Sequence, residues 1–154
     1  MPAAGATNLR PYDPADEDAV VALWGRCGLL RPWNDPRRDI ARKRTTQPEL
    51  FLVAERDGRL LGTAMAGFDG HRGWVNYLAV DPDVRRTGIG RRLMERVERE
   101  LAVRGCPKVN LQVRAGNGDA VAFYRRLGYL PDDVVSLGKR LEDDEREGRD
   151  EPEA

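Results

Sequence analysis

The apolar residues of this chain recur with two different periods, and the period distinguishes strands from helices. Residues 50–55 and 60–68 are short apolar runs separated by Asp57-Gly58, a pair that favours a tight hairpin turn. We therefore expect two antiparallel strands there. Between Ile89 and Leu101 the apolar residues recur every four positions, which predicts a long amphipathic helix that ends near Gly105.

The same patterns predict the other elements. Asp16 is expected to cap a helix that runs to Gly28, and Tyr129 with residues 134–137 is expected to form a last strand or hairpin. The other predicted strands are 8–12, 74–80 and 109–113, and the other predicted helices are 37–44 and 120–127. The order β-α-α-β-β-β-α-β-α-β predicts an α/β (α+β) fold. The strand–helix–strand unit at 74–113 requires a crossover and a parallel pair, so the sheet is mixed and helices must cover it.

Length and composition predict one domain. The chain has 154 residues, its longest apolar run covers only 19–24, and it has two cysteines and one histidine. We expect a globular body at 7–141 with disordered tails at 1–6 and 142–154. A bilayer span needs roughly 20 apolar residues, so we expect no membrane association. Two cysteines form neither a disulfide framework nor a four-ligand zinc site, which favours the cytoplasm and no structural metal.

The charge is balanced overall but unevenly distributed. The chain has 26 basic and 26 acidic residues, and residues 141–154 carry a net charge of −6, so the remainder is at +6. A basic body can hold anions. The aromatic residues are not interleaved with the basic ones, which argues against nucleic-acid binding.

The stretch 78–94, LAVDPDVRRTGIGRRLM, places a glycine-rich basic loop at a helix start. The unpaired amides of a first helical turn and the helix dipole attract anions, and Gly88 and Gly90 remove the Cβ atoms that would keep an oxygen away. A pyrophosphate fits this description, although the spacing matches neither a P-loop nor a dinucleotide fingerprint. An ordinary capped helix with a flexible entry is the alternative interpretation.

Two motifs in this order resemble those of the GNAT superfamily of acyl-CoA-dependent N-acyltransferases. The first is Arg85-x-x-Gly88-x-Gly90 after a strand, and the second is Asn117-x-x-Ala120-x-x-Phe123-Tyr124-x-x-x-Gly128-Tyr129. The likeness extends to the bacterial YpeA-like acetyltransferases through residues 29–36, 69–73, 104–108 and 137–141. The resemblance implies a mostly antiparallel mixed sheet that splays between two central parallel strands, with helices on both faces.

The resemblance also implies how acetyl-CoA, the expected co-substrate, is held. Its pantetheine arm would lie along Leu78, Ala79 and Val80 and touch Asn117. The hydroxyl of Tyr124 would lie near the sulfur, where a phenol can protonate a departing thiolate; a packing role for this ring is the alternative. The pyrophosphate would be held by the amides of the following loop, with Arg85 at its start: Arg86, Thr87, Gly88, Ile89, Gly90 and Arg91.

The general base is not identified by these motifs. Many relatives carry a Glu near the start of the strand at 74–80, but no acidic residue lies between Arg72 and Val80 here. A water ordered by Asn76 could accept the proton, the substrate could arrive deprotonated, or the base could be Asp69 or His71.

The loop between the first two helices is the best candidate for contact with the acceptor. Arg31, Trp33 and Asn34, followed by Asp35, combine charge with a flat apolar wall. Asp69, His71 and Asn76 could add polar contacts from the facing strands. The alternative is a loop anchored by Trp33 in the core.

The resulting expectation is an acetyl-CoA-dependent N-acetyltransferase that transfers directly to a primary amine of a small molecule or polypeptide. The alternative is a noncatalytic acyl-CoA-binding sensor or interaction module, which the missing strand acid favours. A homodimer is possible because dimers are common in the superfamily.

Overall fold

A computed structural model describes residues 5–144 and shows one five-stranded sheet with four helices. The strands lie in chain order across the sheet; all neighbours are antiparallel except the last pair, which is parallel. The strands are β1 (Asn8–Pro11), β2 (Phe51–Arg56), β3 (Arg59–Phe68), β4 (Gly73–Val80) and β5 (Val109–Leu111). The helices are α1 (Glu17–Arg26), α2 (Pro36–Lys43), α3 (Ile89–Val103) and α4 (Gly118–Arg126). The predicted mixed α/β fold is confirmed.

The hairpin between β2 and β3 forms at the predicted turn. Asp57 and Gly58 have φ values of 52° and 76°. Two consecutive left-handed residues match the right-handed twist of the paired strands, and Asp-Gly is a favoured pair for them. This hairpin supplies the centre of the sheet.

Helices cover both faces of the sheet, and each face has its own core. On one face the apolar side of α3, including Leu93 and Val97, packs on Leu52 and Ala64. Phe123 of α4 adds to the same cluster. On the other face α1 and α2 bury Val20, Leu23, Trp24 and Ile40 against Phe51, Val53 and Met65. The alternation along β2 sends successive side chains to opposite cores.

The parallel strands β4 and β5 pair only over their first three residues. Gly73, Trp74 and Val75 lie opposite Val109, Asn110 and Leu111, and the pairing stops there. Beyond Val75, one edge of β4 is therefore left without a strand partner within residues 5–144. The splay that the resemblance implies is present.

A bulge in β4 lies just beyond this point. Thr63 pairs with Ala79 and Met65 with Asn76, so β4 has one more residue than β3 between the two pairs. Tyr77 takes the left-handed conformation, with φ of 50°. An aromatic residue rarely adopts this conformation, so surrounding contacts must hold it.

Three local predictions differ from the structure. Asp13, not Asp16, caps the first turn; the Asp16 carboxylate bonds to the amide of Asp13 and to Arg10. The last strand predicted at Tyr129 and 134–137 is wrong, because no strand follows β5 in the described part of the chain. The predicted tails lie mostly outside the described residues, but Asp144 is docked on α2, where its carboxylate bonds to Arg42 and to the amide of Asp35.

Two absences complete the description of residues 5–144. No helix there is both long and apolar enough to cross a bilayer. No group of three or more His, Cys, Asp or Glu side chains there is arranged to hold a metal ion.

Candidate active site

A cavity of about 940 Å³ lies where β4 has left β5, between the end of β4, the start of α3, and α4. Tyr124 and every predicted cofactor residue except Thr87 line it. Thr87 instead donates its hydroxyl to the carbonyl of Val84, 2.6 Å away. The remaining lining residues were not predicted as cofactor residues, although Ala120 and Phe123 belong to the second motif: Cys27, Leu29, Asp119, Ala120, Ala122, Phe123, Arg126 and Leu127.

The start of α3 has the properties of an anion site. Gly88 precedes the helix with φ of 87°, no side chain caps the first turn, and that turn contains no acidic residue. The amides of Ile89, Gly90 and Arg91 have no hydrogen-bond acceptor among the described residues. A Cβ on Gly88 would meet no heavy atom within 4 Å. Open space in front of unpaired amides fits a pyrophosphate.

The sequence suggests that Gly90 lets an anion approach the backbone, but the structure gives this glycine a role in helix packing. A Cβ there would lie 3.1 Å from the ring of Phe123 and 3.5 Å from Val80. The missing side chain therefore allows α4 to approach α3. Gly88 is the glycine whose missing side chain leaves space in front of the amides.

A buried carboxylate holds the loop between β4 and α3. Asp81 is 1% exposed; it accepts hydrogen bonds from the amide of Asp83 at 2.9 Å, from Arg59 at 2.9 Å and from Arg26 at 3.1 Å. The Asp83 amide and the two guanidinium groups hold the pKa of Asp81 below its usual range. This aspartate ties the loop to α1 and β3.

Tyr124 combines a packed ring with an unpaired hydroxyl. The ring meets Phe123 and Tyr129 edge-on, with centroids 5.1 and 5.8 Å apart. The hydroxyl has no hydrogen-bond partner within residues 5–144. It is not one of the buried side-chain oxygens without a partner, so it remains accessible from the cavity. Burial raises the pKa of Tyr124 to about 12. The phenol therefore stays protonated at neutral pH and can act as a donor.

Two other side chains on the cavity wall are already engaged. Asn117 accepts a hydrogen bond from the amide of Ala120 at 3.2 Å and so caps α4. Cys27 donates to the carbonyl of Val80 at 3.3 Å, and burial raises the pKa of its thiol. A thiol with a raised pKa is a poor nucleophile.

On the opposite face of β4, a network that the sequence did not reveal holds the bulge. Trp24 Nε1 donates to the buried Thr63 hydroxyl at 2.9 Å, and that hydroxyl donates to the carbonyl of Tyr77 at 2.8 Å. The rings of Trp24 and Tyr77 stack with centroids 3.8 Å apart. The Tyr77 hydroxyl donates to Asp39 Oδ2 at 2.5 Å. These contacts, from three separate elements, hold Tyr77 in its left-handed conformation.

None of the six residues proposed for acceptor binding lines the cavity. Asp69 and His71 lie in the turn between β3 and β4, at the opposite end of β4 from Leu78. The amides of Arg72 and His71 bond to the Asp69 carboxylate and lower its pKa, which makes it a weak base. Asn76 is exposed, and since Val75 points into the core under α3, Asn76 faces the side of α1 and α2.

The loop between α1 and α2 reaches across to the end of β5. The guanidinium carbon of Arg114 lies 5.3 Å from the centre of the Trp33 ring. Arg31 donates to the carbonyls of Gly28 and Leu30 within its own loop, and Asn34 accepts a hydrogen bond from Arg140. Trp33 is 39% exposed, so it does not anchor the loop in the core.

Comparison with known proteins gives a consistent result. The profile of the acetyltransferase (GNAT) family matches residues 17–129. The chain is 49% identical to "Acetyltransferase ECA0875" of Pectobacterium atrosepticum over 136 residues, which cover 88% of this chain and 96% of that protein. It is 48% identical to "Acetyltransferase YE1169" of Yersinia enterocolitica over 133 residues, covering 86% and 94%. The crystal structure of the ribosomal-protein-S18-alanine N-acetyltransferase from Escherichia coli superposes with a TM-score of 0.68 and 26% identity, over 80% of this chain and 77% of that one.

Proposed function

The chain belongs to the GNAT acetyltransferase family, and on that premise we propose that it transfers an acetyl group from acetyl-CoA directly to a primary amine of a small molecule or polypeptide. One observation carries the proposal: a single cavity joins the uncapped amides of α3 to the accessible hydroxyl of Tyr124. The Escherichia coli neighbour, whose name describes N-acetylation of a protein's alanine, supports an amine acceptor.

The residues of the cavity fit acetyl-CoA. The amides of Ile89, Gly90 and Arg91 would hold the pyrophosphate, helped by the positive helix end. The edge of β4 that β5 leaves unpaired, residues 78–80, would bond to the amide groups of the pantetheine arm. Acetyl-CoA supplies an acetyl group already activated as a thioester.

Each remaining step of the transfer has a candidate group on this chain. An amide of Leu78 or Ala79 polarises the acyl carbonyl, since hydrogen-bond donors fixed in a cavity stabilise a developing oxyanion. Tyr124 donates its proton to the departing thiolate. The amine proton leaves to a water on the face of β4 toward α1 and α2, where Asn76 is an exposed polar residue next to the bulge and outside the cavity. Asp69 is unsuited to this role because two backbone amides already bind its carboxylate.

The test is thiol release from acetyl-CoA by the purified protein with amino acids, polyamines, aminoglycosides and N-terminal peptides as acceptors. We expect release that depends on one class of amine, together with binding of acetyl-CoA in calorimetry. Binding without turnover on any acceptor would contradict the enzyme proposal and support an acyl-CoA-binding module. Absence of binding would contradict both.

A further inference from the structure

Three arginines contact one short stretch of the loop between α1 and α2, residues 28–34. Arg31 bonds to two main-chain carbonyls of this stretch, Arg114 lies over the ring of its tryptophan, and Arg140 bonds to its asparagine side chain. None of the three forms an ion pair within residues 5–144. These side chains, here called the arginine cluster, therefore concentrate positive charge that no carboxylate of the described chain neutralises.

The carboxylates nearest to this loop in the chain are engaged on α2. Asp35 caps the helix by accepting hydrogen bonds from two amides of its first turn. Asp39 accepts hydrogen bonds from Tyr77 and Arg42, and Asp144 bonds to the same Arg42. The negative charge on this side of the molecule holds α2 in place, which leaves the arginine cluster available to an external anion.

The cluster adjoins the cavity but is separate from the arginines that line it. The two carbonyls that Arg31 binds flank Leu29, which lines the cavity, and the carbonyl of Arg114 accepts a 3.1 Å bond from the amide of Asn117, another lining residue. The cavity has basic side chains of its own for the phosphates of the cofactor: Arg85, Arg86, Arg91 and Arg126. The cluster is therefore placed for a different anion, one that reaches the cavity from the loop.

The free donors of the cluster suit a carboxylate. A guanidinium group has five N–H donors in a planar fork that matches the two oxygens of a carboxylate. Arg31 uses only Nη1 for its two bonds, so Nε and Nη2 remain free. Arg114 donates no side-chain hydrogen bond within the described residues. A polyamine or an aminoglycoside would instead be repelled by three positive charges.

We propose that the arginine cluster binds a carboxylate of the acceptor, so that the substrate is an amine that also carries a carboxylate, as amino acids do. The inference rests on the proposed transfer to an amine and specifies which amines qualify. The carboxylate takes no part in the transfer, in which the C–N bond forms, the C–S bond breaks and CoA leaves as the thiol. The exposed ring of Trp33, in contact with Arg114, provides an apolar wall beside the bound anion.

The first test compares acceptors that differ only in the carboxylate. Each amino acid is paired with its carboxamide, and thiol release from acetyl-CoA by the full chain is measured for both, with spermidine and kanamycin as polycations. The amine of a carboxamide is less basic, so without recognition of the carboxylate the carboxamide would react at least as fast at neutral pH. We expect kcat/KM to be about tenfold or more higher for the acid, and no turnover of the polycations.

The second test alters the cluster. Arg114→Gln and Arg140→Gln remove exposed charges and should each raise KM for the amino acid by about tenfold, with kcat and acetyl-CoA affinity within about twofold of the parent. KM for the carboxamide should not change, which separates loss of carboxylate recognition from disturbance of the loop. Arg114→Lys keeps the charge and should lose less. Arg99→Gln is the matched control, because Arg99 is exposed on α3 outside the cavity.

The outcomes separate this inference from the proposed function. A protein that acetylates amines but prefers carboxamides, polycations or uncharged peptides would overturn the inference and leave the transferase proposal intact. Cluster variants that raise KM equally for the acid and the carboxamide would also overturn it. Binding of acetyl-CoA without turnover on any amine would contradict the transferase proposal itself, and the inference with it.

Discussion

The two faces of β4 are built in different ways. On the side of α3 and α4, the cavity wall comes from two short stretches of sequence, 78–91 and 117–127, with only Cys27 and Leu29 added from elsewhere. On the side of α1 and α2, Trp24, Asp39, Thr63 and Tyr77 come from four different elements and meet only in the folded chain.

The difference separates two tasks. The side of α3 and α4 offers backbone amides and open space, which a contiguous loop and a helix start can provide by themselves. The side of α1 and α2 must hold a strained residue, and this requires contacts from elements that lie far apart in the sequence. Substitutions on the first side should change binding or chemistry and leave the fold intact. Substitutions on the second side should change stability and activity together.

The largest effect should come from a carboxylate at Gly88. Gly88→Asp places a negative charge before the unpaired amides, where space is open and an Asp tolerates positive φ. We expect acetyl-CoA affinity in calorimetry to fall by roughly 100-fold or more. Gly88→Asn has the same shape and backbone strain as Gly88→Asp but no charge, so its affinity for acetyl-CoA should fall much less. Equal losses in the two variants would show that shape, not charge, governs the site.

Tyr124→Phe should separate chemistry from binding. Removal of the hydroxyl should lower kcat by about 100-fold, because the thiolate loses its proton donor, and should leave acetyl-CoA affinity within about threefold. Tyr129→Phe is the matched control, since that hydroxyl bonds to Glu98 at 2.6 Å and does not line the cavity. If both variants turn over at the parent rate, Tyr124 is a packing residue.

On the other face, Thr63→Val should couple stability to activity. The substitution keeps the shape but leaves Trp24 Nε1 and the Tyr77 carbonyl unpaired, at a cost of about 2–3 kcal/mol in the free energy of unfolding. We expect lower stability in urea, a fall of about tenfold in kcat/KM for the acceptor, and little change in acetyl-CoA affinity. Thr63→Ser retains the hydroxyl and should behave like the parent. A Thr63→Val protein with parental stability would refute the network's role.

The fold was largely predictable because its periodicities are strong. The Asp57-Gly58 turn and the four-residue apolar period of α3 were read correctly, since turn geometry and helix amphipathicity are local properties. The predicted last strand is wrong for a physical reason: residues 134–137 have the apolar residues of a strand, but their main chain forms no ladder with any strand of the described chain. A strand requires a neighbour, and composition does not supply one.

The site was predictable on one side only. The motif around Gly88 marked the cavity wall because its chemistry resides in consecutive backbone groups. No comparable motif marked Tyr77 or Asp39. The two residues are hydrogen-bonded in the fold but lie far apart in the sequence, so no short spacing between them could be recognised. Asp69 and His71 were candidates because they are titratable groups close to a strand in the sequence, but they lie at the end of β4 away from the cavity.

The smallest effect tests how far the network on the side of α1 and α2 extends toward the C terminus. The side chain of Asp144 is 1% exposed, and Arg42, the amide of Asp35 and Arg38 hold its pKa well below the usual range. A lowered pKa in the folded state means that the carboxylate stabilises the protein fully above about pH 4 and loses this effect as the pH falls further. We expect Asp144→Asn to lower Tm by about 2–4 °C at pH 7, with the difference from the parent narrowing below pH 4. Glu142→Gln is the control, because Glu142 is 68% exposed and lies 3.4 Å from the same Arg42. A Tm gap that does not change with pH would mean that the shape of the Asp144 side chain, and not its charge, stabilises this contact with α2.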